Sequence, residues 1–501
     1  VYFKEQVEEL IEVIKRKDAT MAGQVQRIKD YIKKIYGKGH SEKLDPSQMV
    51  FDDVILAAEK YGAPDREAVN PEIVEEKVQA HIRRRHSGRK PLPPELERIE
   101  HYLDIPKEDK FTVDGKERPL IGLDITERLD YQACSFVVHR YVRPKYGADD
   151  NIEGSGIKQH PPVDVPIYKC SAESGLLAHI ITEKYEHHTP LYRQEQKYSQ
   201  HNIDISRKTM AGWMGQCAQV LKPLYDQMHQ EILKYDIVFN DDTPVEMLDP
   251  GSGTTKTTRM WCTVGGEDQK YCMYNFILSR GREGPLKFFK DYNGYFMSDA
   301  FASYEPLFKK EDVNSLSCWA HARRYFKEVQ DSSPKAATEM LTRIAQIYKI
   351  DKKIKHFDDK RKLHVRRKES RSKLAKILLW LRKNKHTHLP KSPMYKAIHY
   401  FLNIRRRLTR YTTDGRLLID NTLAENGIRP IALGRKNWMF VGSENGGHTA
   451  ATLMTFCMTC RKLKINSWVY LKDVLQRINS HPMSKIDELL PHRWQEIQNQ
   501  S

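Results

Sequence analysis

Tyr235-Asp236-Ile237-Val238-Phe239-Asn240-Asp241-Asp242-Thr243-Pro244 is the stretch on which the reading of this chain turns. Ile237-Val238-Phe239 has the apolar pattern of a short strand covered on both faces, and it runs into two acids and a proline. A carboxylate at the end of such a strand sits at the surface on a rigid support, where a metal ion can reach it. Two later acids share this placement. Tyr295-Phe296-Met297-Ser298-Asp299 is a second apolar strand ending in an acid, and Asp420-Asn421-Thr422-Leu423-Ala424-Glu425-Asn426 reads as a capped helix start with Glu425 in its first turns. The gaps are 58 residues (299 − 241) and 126 residues (425 − 299). Three carboxylates from separate elements can hold two divalent ions roughly 4 Å apart, the arrangement used for in-line phosphoryl transfer. Asp242 is a rival to Asp241 for the first position.

A chain of 501 residues has room for several domains. No run approaches the roughly 18 apolar residues of a membrane span, and no signal-peptide pattern opens the sequence, so no membrane partner is expected. The first residue is Val1, which is not read as a natural start. The eight cysteines are scattered, as suits a reduced cytosol. The one C-x-x-C pair, Cys457 and Cys460, lies in a helical pattern and reads as a packed helix face. The net charge of +17 is concentrated: residues 341–410 hold 23 Lys plus Arg against 4 Asp plus Glu. Such a block points to a polyanion or to a solvated helical surface.

Seven-residue spacing of Val7, Ile14, Met21, Ile28 and Ile35, with Phe3, Leu10, Lys17, Gln24 and Tyr31 on the alternate seam, predicts a coiled coil over 1–44 that pairs two copies of the chain; an amphipathic helix packed on its own domain gives the same spacing. Residues 45–109 read as a linker with basic, proline-rich stretches around Arg83-Arg84-Arg85 and Arg89-Lys90-Pro91. Alternating residues in Leu120–Ile125 and Ser135–Val142 predict a small β-rich module over 110–170. A helix from Pro190 to Gln200, a short turn, and a helix capped by Ser206 suit a helix-turn-helix within 171–233, with Arg207, Lys208 and Thr209 where such folds meet DNA bases; two ordinary packed helices give the same pattern. From 234 to 334 the strand ending at Asp241 is followed by strands over 259–264 and 271–278, a crossover helix from Gly284, the strand ending at Asp299, a fifth strand over 315–319, and a helix over 322–329. That order predicts a mixed sheet flanked by helices. The basic block 335–412 reads as a helical insertion before the Glu425 segment, 413–449. Gly442-Ser443-Glu444-Asn445-Gly446-Gly447 reads as a Gly-rich turn, and 450–501 as a helical tail.

Three segments carry a family resemblance: Asn240-Asp241-Asp242-Thr243-Pro244-Val245; Cys318-Trp319-Ala320-His321-Ala322-Arg323-Arg324; and Asn421-Thr422-Leu423-Ala424-Glu425 leading to Gly434-Arg435-Lys436-Asn437-Trp438. In that order they resemble the sixty-six family of bacterial insertion-sequence transposases. The resemblance runs from about residue 30 to the C-terminus. It implies an α and α/β multidomain chain with an RNase H-like catalytic core, an Asp241–Asp299–Glu425 triad, and two Mg²⁺ (or Mn²⁺) ions for cutting and joining DNA. Within these segments His321 could orient a phosphate or cap the helix that follows, Arg323 and Arg324 could hold DNA or pair with nearby acids, and Arg435, Lys436 and Asn437, ahead of a Gly-rich turn, could approach a phosphate. The implied partners are double-stranded DNA (element ends and target), a second copy of the chain, and accessory proteins from the same element. The implied setting is the bacterial cytoplasm, on the nucleoid. The family's small zinc module has paired cysteines, but Phe111–Gly115 and Lys145–Ala148 stand in their places here, so no zinc is expected. A non-catalytic DNA-binding protein and a nuclease that cuts without joining are the competing classes.

Overall fold

The computed structural model describes residues 92–499, apart from 95, 112–116, 133–134, 147–156 and 267–268. The heptad seam and the basic stretch around Arg83 lie outside the described residues.

A small sheet comes first. β1 (Glu97–Tyr102), β2 (Leu120–Gln132), β3 (Ser135–Tyr146) and β4 (Lys158–Gln159) take the order β1-β3-β2, with β4 on the free part of β3. β1 runs parallel to β3, and β2 antiparallel to it. The module therefore begins before the expected boundary at 109. Glu97-Arg98-Ile99-Glu100-His101-Tyr102 is polar on both faces, so no apolar period marks it as a strand. The β3 ladder and stacking of His101 on His139 and Tyr141 hold it in place. The two short strands expected here are one long hairpin.

Four helices follow: α1 (Ser174–Tyr185), α2 (Leu191–Ser199), α3 (Arg207–Val220) and α4 (Lys222–Leu233). Ser206 caps α3, its side chain accepting the Thr209 N–H at 3.1 Å. Met210, Trp213, Met214 and Cys217 make the buried stripe of α3, while Arg207, Lys208 and Thr209 stay exposed at its start.

The central sheet comprises β5 (Ile237–Asp249), β6 (Thr254–Gly265), β7 (Cys272–Ile277), β8 (Gly294–Ser298) and β9 (Val313–Ser317), in the order β7-β6-β5-β8-β9. The first three are antiparallel neighbours; β8 and β9 run parallel to β5. α5 (Glu283–Phe288) lies in the crossover to β8, α6 (Glu305–Phe308) precedes β9, and α7 (Trp319–Glu328) leaves it. The strand expected to end at Asp241 instead continues to Asp249. The sign that misled was Pro244, but its missing N–H falls on the edge facing away from β6, where no strand pairs at that position, so no ladder bond is lost. The Pro244 carbonyl on that edge accepts from Arg435.

The basic insertion is helical: α8 (Pro334–Lys353), α9 (Asp359–Val365), α10 (Arg371–Lys385), α11 (Pro393–Asn403) and α12 (Arg405–Thr409). The chain then returns as α13 (Thr422–Trp438), β10 (Phe440–Val441) beside β5, α14 (Glu444–Leu463), α15 (Ser467–Arg477) and α16 (Pro491–Gln498). The expected Gly-rich turn at 442–447 is largely the first turn of α14. Ser443 caps it, accepting the Gly446 N–H at 3.1 Å. Gly447 is glycine because α14 lies so close to β7 that a Cβ there would sit 2.5 Å from the Phe276 ring. Cys457 and Cys460 are buried on α14, and burial pushes both thiols up, as expected of a packed face. Among the described residues no helix is long and apolar enough to cross a membrane.

Two cores meet at the sheet. Val238 and Phe296 belong to one, which takes in both faces of β6 and β7 together with α14; Ile237, Phe239, Met297 and Leu316 belong to the other with Trp319, Phe326 and the insertion's Ile344, Leu381 and Phe401. The insertion is thus packed onto the sheet through an apolar face, and not all of its positive charge is on the surface. Arg366 is 2 % exposed. Its Nε donates to Asp351 at 2.9 Å, and its Nη1 donates to the carbonyls of Tyr411, Asp414, Gly415 and Leu417 at 2.8–3.3 Å. Arg366→Ala leaves a half-buried carboxylate and four carbonyls without their donor, and should destabilise the chain by ~3–5 kcal/mol, read as a shift of the denaturant midpoint. An exposed neighbour such as Arg371→Ala should change it little.

Candidate active site

Strand register brings the acids together. Ile237, Val238 and Phe239 pair with Tyr295, Phe296 and Met297, an offset of 58 residues (297 − 239), which is the gap between Asp241 and Asp299. Met297 and Ser298 pair with Leu316 and Ser317, an offset of 19 residues (316 − 297) that carries Asp299 to Cys318. Side chains alternate along a strand, so Asp241, Asp299 and Cys318 continue the face of Phe239, Met297 and Leu316. Neighbouring strands lie ~4.8 Å apart. β8 stops at Ser298, and β5 goes on without a partner on that side until β10 at Glu246. Asp241 therefore projects beside a notch in the sheet.

α13 closes the notch. The Asn421 side chain donates to the Asn240 carbonyl at 3.0 Å, and its backbone N–H donates to Cys318 Sγ at 3.2 Å. That fixes Glu425, one turn on, at the same place: its Oε1 lies 3.9 Å from Cys318 Sγ and 3.7 Å from His321 Nδ1. Gly427 permits the close approach, since a Cβ there would sit 2.5 Å from Cys262 Sγ. Asn240 is 1 % exposed, and its polar atoms are engaged: its amide donates to Thr263 Oγ1 at 2.8 Å, and its Oδ1 accepts from the Tyr304 hydroxyl at 2.6 Å.

Asp242 has another environment. Its side chain is 1 % exposed; Oδ2 accepts from Arg259 at 3.1 Å, and Oδ1 from Arg280 Nε at 3.2 Å and Nη2 at 2.9 Å. Two guanidinium groups neutralise it and occupy its oxygens. Arg280 Nη2 also reaches within 3.7 Å of Asp299, and its guanidinium lies over the Phe301 ring.

Electrostatics single out Asp241. Burial pushes its carboxyl up to about 8, and the charges of Asp299, Asp242 and Glu425 push the same way, against the Asp242 N–H that it accepts at 2.9 Å. Burial also raises Asp299, partly offset by the Phe301 N–H at 3.2 Å and by Arg280. Crowded carboxylates with raised pKa values are what a divalent cation relieves. Cys318, His321 and Glu425 offer further ligand atoms within 4.8 Å of one another, with burial holding the Cys318 thiol up at about 12. Cys318, Arg259, Arg280 and Asn421 were not singled out from the sequence. The spacing Cys318-x-x-His321 at a strand-to-helix junction was the available sign for the first; nothing local marks the arginines, which reach Asp242 from other strands and loops.

The remaining candidate residues are dispersed over several elements. His321 adjoins Glu425, and Arg323 and Arg324 are exposed further along α7. Arg435 is half-buried, its Nη1 donating to Thr243 Oγ1 at 3.0 Å and to the Pro244 carbonyl, so it braces β5. Lys436 is exposed, and Asn437 accepts from Arg193 at 3.3 Å. Arg207, Lys208 and Thr209 head α3, where the Arg207 N–H donates to Glu195.

The family model described as "Transposase IS66 family" matches residues 169–449, its "IS66 C-terminal element" matches 455–492, and a model described as "Transposase C of IS166 homeodomain" matches 25–100. The chain belongs to the IS66 transposase family. It is 31% identical over 421 residues to "Uncharacterized protein y4qI" of Sinorhizobium fredii, covering 80% of this chain and 77% of that protein. It is 30% identical over 434 residues to "Uncharacterized protein y4hP" of the same organism, covering 82% and 78%. Membership carries a role in transposition with DNA as partner.

The raised carboxyl has a consequence for stability. A group protonated more tightly in the folded than in the unfolded chain stabilises the fold at low pH, and that contribution is lost as pH rises from the ordinary Asp value of 3.8 through about 8. In the absence of divalent ions, Asp241→Asn should therefore raise the melting temperature at pH 8.5 and leave it nearly unchanged at pH 4. Added Mg²⁺ should stabilise the parent more at pH 8.5 than at pH 6, and Asp241→Asn should blunt that gain, as thermal melts would record.

Proposed function

We propose that the chain is a DNA transposase that binds the inverted repeats at its element's ends, cleaves DNA there and joins the 3′ ends to target DNA. The observation that carries the reading is the register of β5 and β8, which sets Asp241 opposite Asp299 on the face that Glu425 closes. The strand order 3-2-1-4-5, with the last two strands parallel to the first, supports an RNase H-like core. Asp241, Asp299 and Glu425 would hold Mg²⁺ or Mn²⁺: an all-oxygen, mutually repelling donor set suits hard divalent ions. Such ions, bound as a pair, supply activation of a water or a 3′-hydroxyl and stabilise the attacking and leaving oxygens.

The chain's own residues prepare the place. Asn421 fixes the start of α13, so the Glu425 carboxylate stays beside His321 and Cys318, where its charge is felt by Asp241. Arg259 and Arg280 hold the Asp242 carboxylate in ion pairs on the opposite face, leaving Asp241 to face the DNA. Arg323 and Arg324, exposed on the helix that carries His321, suit the phosphate backbone, as do the surface lysines and arginines of the insertion. One such site per chain calls for two copies to act on two ends, and the heptad seam from Phe3 to Ile35 would join them.

Asp241→Asn, Asp299→Asn and Glu425→Gln should each lower cutting and joining of end DNA at least about a thousandfold, while gel-shift affinity for that DNA stays within a few-fold. A variant that keeps cutting removes its residue from the site, and loss of binding in all three would return the chain to the non-catalytic DNA-binding class. Cutting that never leads to joined product would favour the nuclease. Neutralising exposed Lys and Arg residues of 341–410 should weaken binding to all sequences alike. It should also flatten the salt slope by about 0.9 for each phosphate no longer neutralised, measured by titration against salt.

A further inference from the structure

A pocket of about 410 Å³ opens between α7 and α11. Tyr325 of α7 lines one wall; Tyr395, Lys396, His399 and Tyr400 of α11, with Lys391 just before it, line the other. Tyr325 and Tyr400 stack with ring centroids 4.2 Å apart, and Tyr395 and His399 stack at 5.8 Å. Tyr325 is 40 % exposed, and Lys391, Lys396 and His399 are at least partly open to solvent. Each stacked pair covers one face of its rings and leaves the outer side to the pocket, and aromatic side chains bordered by ammonium groups are the chemistry that a base and its flanking phosphates require.

The pocket borders the carboxylates from two directions. α7 carries His321, 3.7 Å from Glu425, and Tyr325 lies four residues on, hence on the same helix face about one turn away. From the other wall, Tyr400 takes a hydrogen bond from the Ala300 backbone and feels the charge of Asp299. Whatever phosphate lies at the acids has this pocket as a neighbour.

We propose that the pocket receives one unstacked nucleobase of the DNA strand held at the Asp241–Asp299–Glu425 carboxylates; this rests on reading those carboxylates as a DNA-cleaving site. The base stacks on the Tyr325–Tyr400 and Tyr395–His399 rings, and Lys391 and Lys396 meet the adjoining phosphates. Every base has a π-face, so the pocket takes any of them. Drawing one base out of the helix fixes the phosphate next to it, and this is easiest where pairing is already broken. The pocket therefore favours opened DNA ends and unpaired positions over continuous duplex.

The test uses the full chain without divalent ions, so that binding is read apart from cutting. The probes are two duplexes of one sequence, each with a single 2-aminopurine, in one opposite thymine and in the other opposite an abasic site. The parent should bind the abasic-opposed duplex about tenfold more tightly and quench its fluorescence. Tyr325→Ala should lose that preference and the quenching, with affinity for the paired duplex and melting temperature unchanged; Tyr325→Trp should restore both. The proposal is overturned if the parent shows no preference, if Tyr325→Ala weakens both duplexes equally, or if it changes neither. Cutting of end DNA in Mg²⁺ is scored separately. A chain that binds and quenches as stated but never cuts keeps the pocket and loses the catalytic reading, whereas one that cuts without quenching loses the pocket alone.

Discussion

Parallel pairing between β5 and β8 ends at Phe239 and Met297, two residues short of the acids on each strand. Everything at the site depends on that early stop. Full pairing would have carried the ladder past Asp241 and Asp299, and the sheet would have left no opening. Because β8 ends and β5 continues, the edge of β5 between Asn240 and Val245 has to find other partners, since buried backbone groups do not go unpaired. Asn421 supplies one at the Asn240 carbonyl, Arg435 supplies another at Pro244, and β10 takes over at Glu246. Two of these three come from one helix and its cap, and the third from the strand that follows it. The solution to a backbone hydrogen-bond problem thus sets Glu425 beside Cys318 and His321, on the sheet face that carries the two aspartates.

The run Asn240-Asp241-Asp242 shows how alternation divides labour among adjacent polar residues. Asn240 joins β5 to β6, to Tyr304 and to α13. Asp242, on the same face, is neutralised by Arg259 and Arg280. Asp241 alone turns to the opposite face, where burial and like charges raise its pKa. A carboxylate held in that state is strained toward accepting a proton or a cation, while its neighbour, of identical chemistry, is already satisfied.

The basic insertion also has two parts to its physics. Its apolar stripe completes the core on the site face of the sheet, packing Phe401 against Trp319 and Phe326. Several of its arginines are internal connectors: Arg366 gathers four carbonyls, Arg407 forms a double ion pair with Glu305, and Arg410 holds Ser315. The net surplus of charge therefore overstates what lies free for a polyanion, and the remainder is borne by flexible side chains on outer helix faces.

Sequence by itself determined the order of strands and helices in the core and the placement of an acid by each of three elements, because short apolar runs and helix-start chemistry are local. It also supplied the equality of spacing, 58 residues, that the pairing of β5 and β8 reproduces. It did not mark β1, whose residues are polar on both faces, or the continuation of β5 past Pro244, where proline is harmless only because that edge has no strand partner. Nor could it choose between Asp241 and Asp242 from residue chemistry, since the choice lies in which face each occupies and in arginines 17 and 38 residues further along the chain. The meeting of Cys318, His321 and Glu425, and the stacking of Tyr325 on Tyr400 beside them, were decided only by tertiary structure. Such contacts join residues 75 (400 − 325) to 107 (425 − 318) positions apart, and no local pattern encodes which helix will pack across the notch.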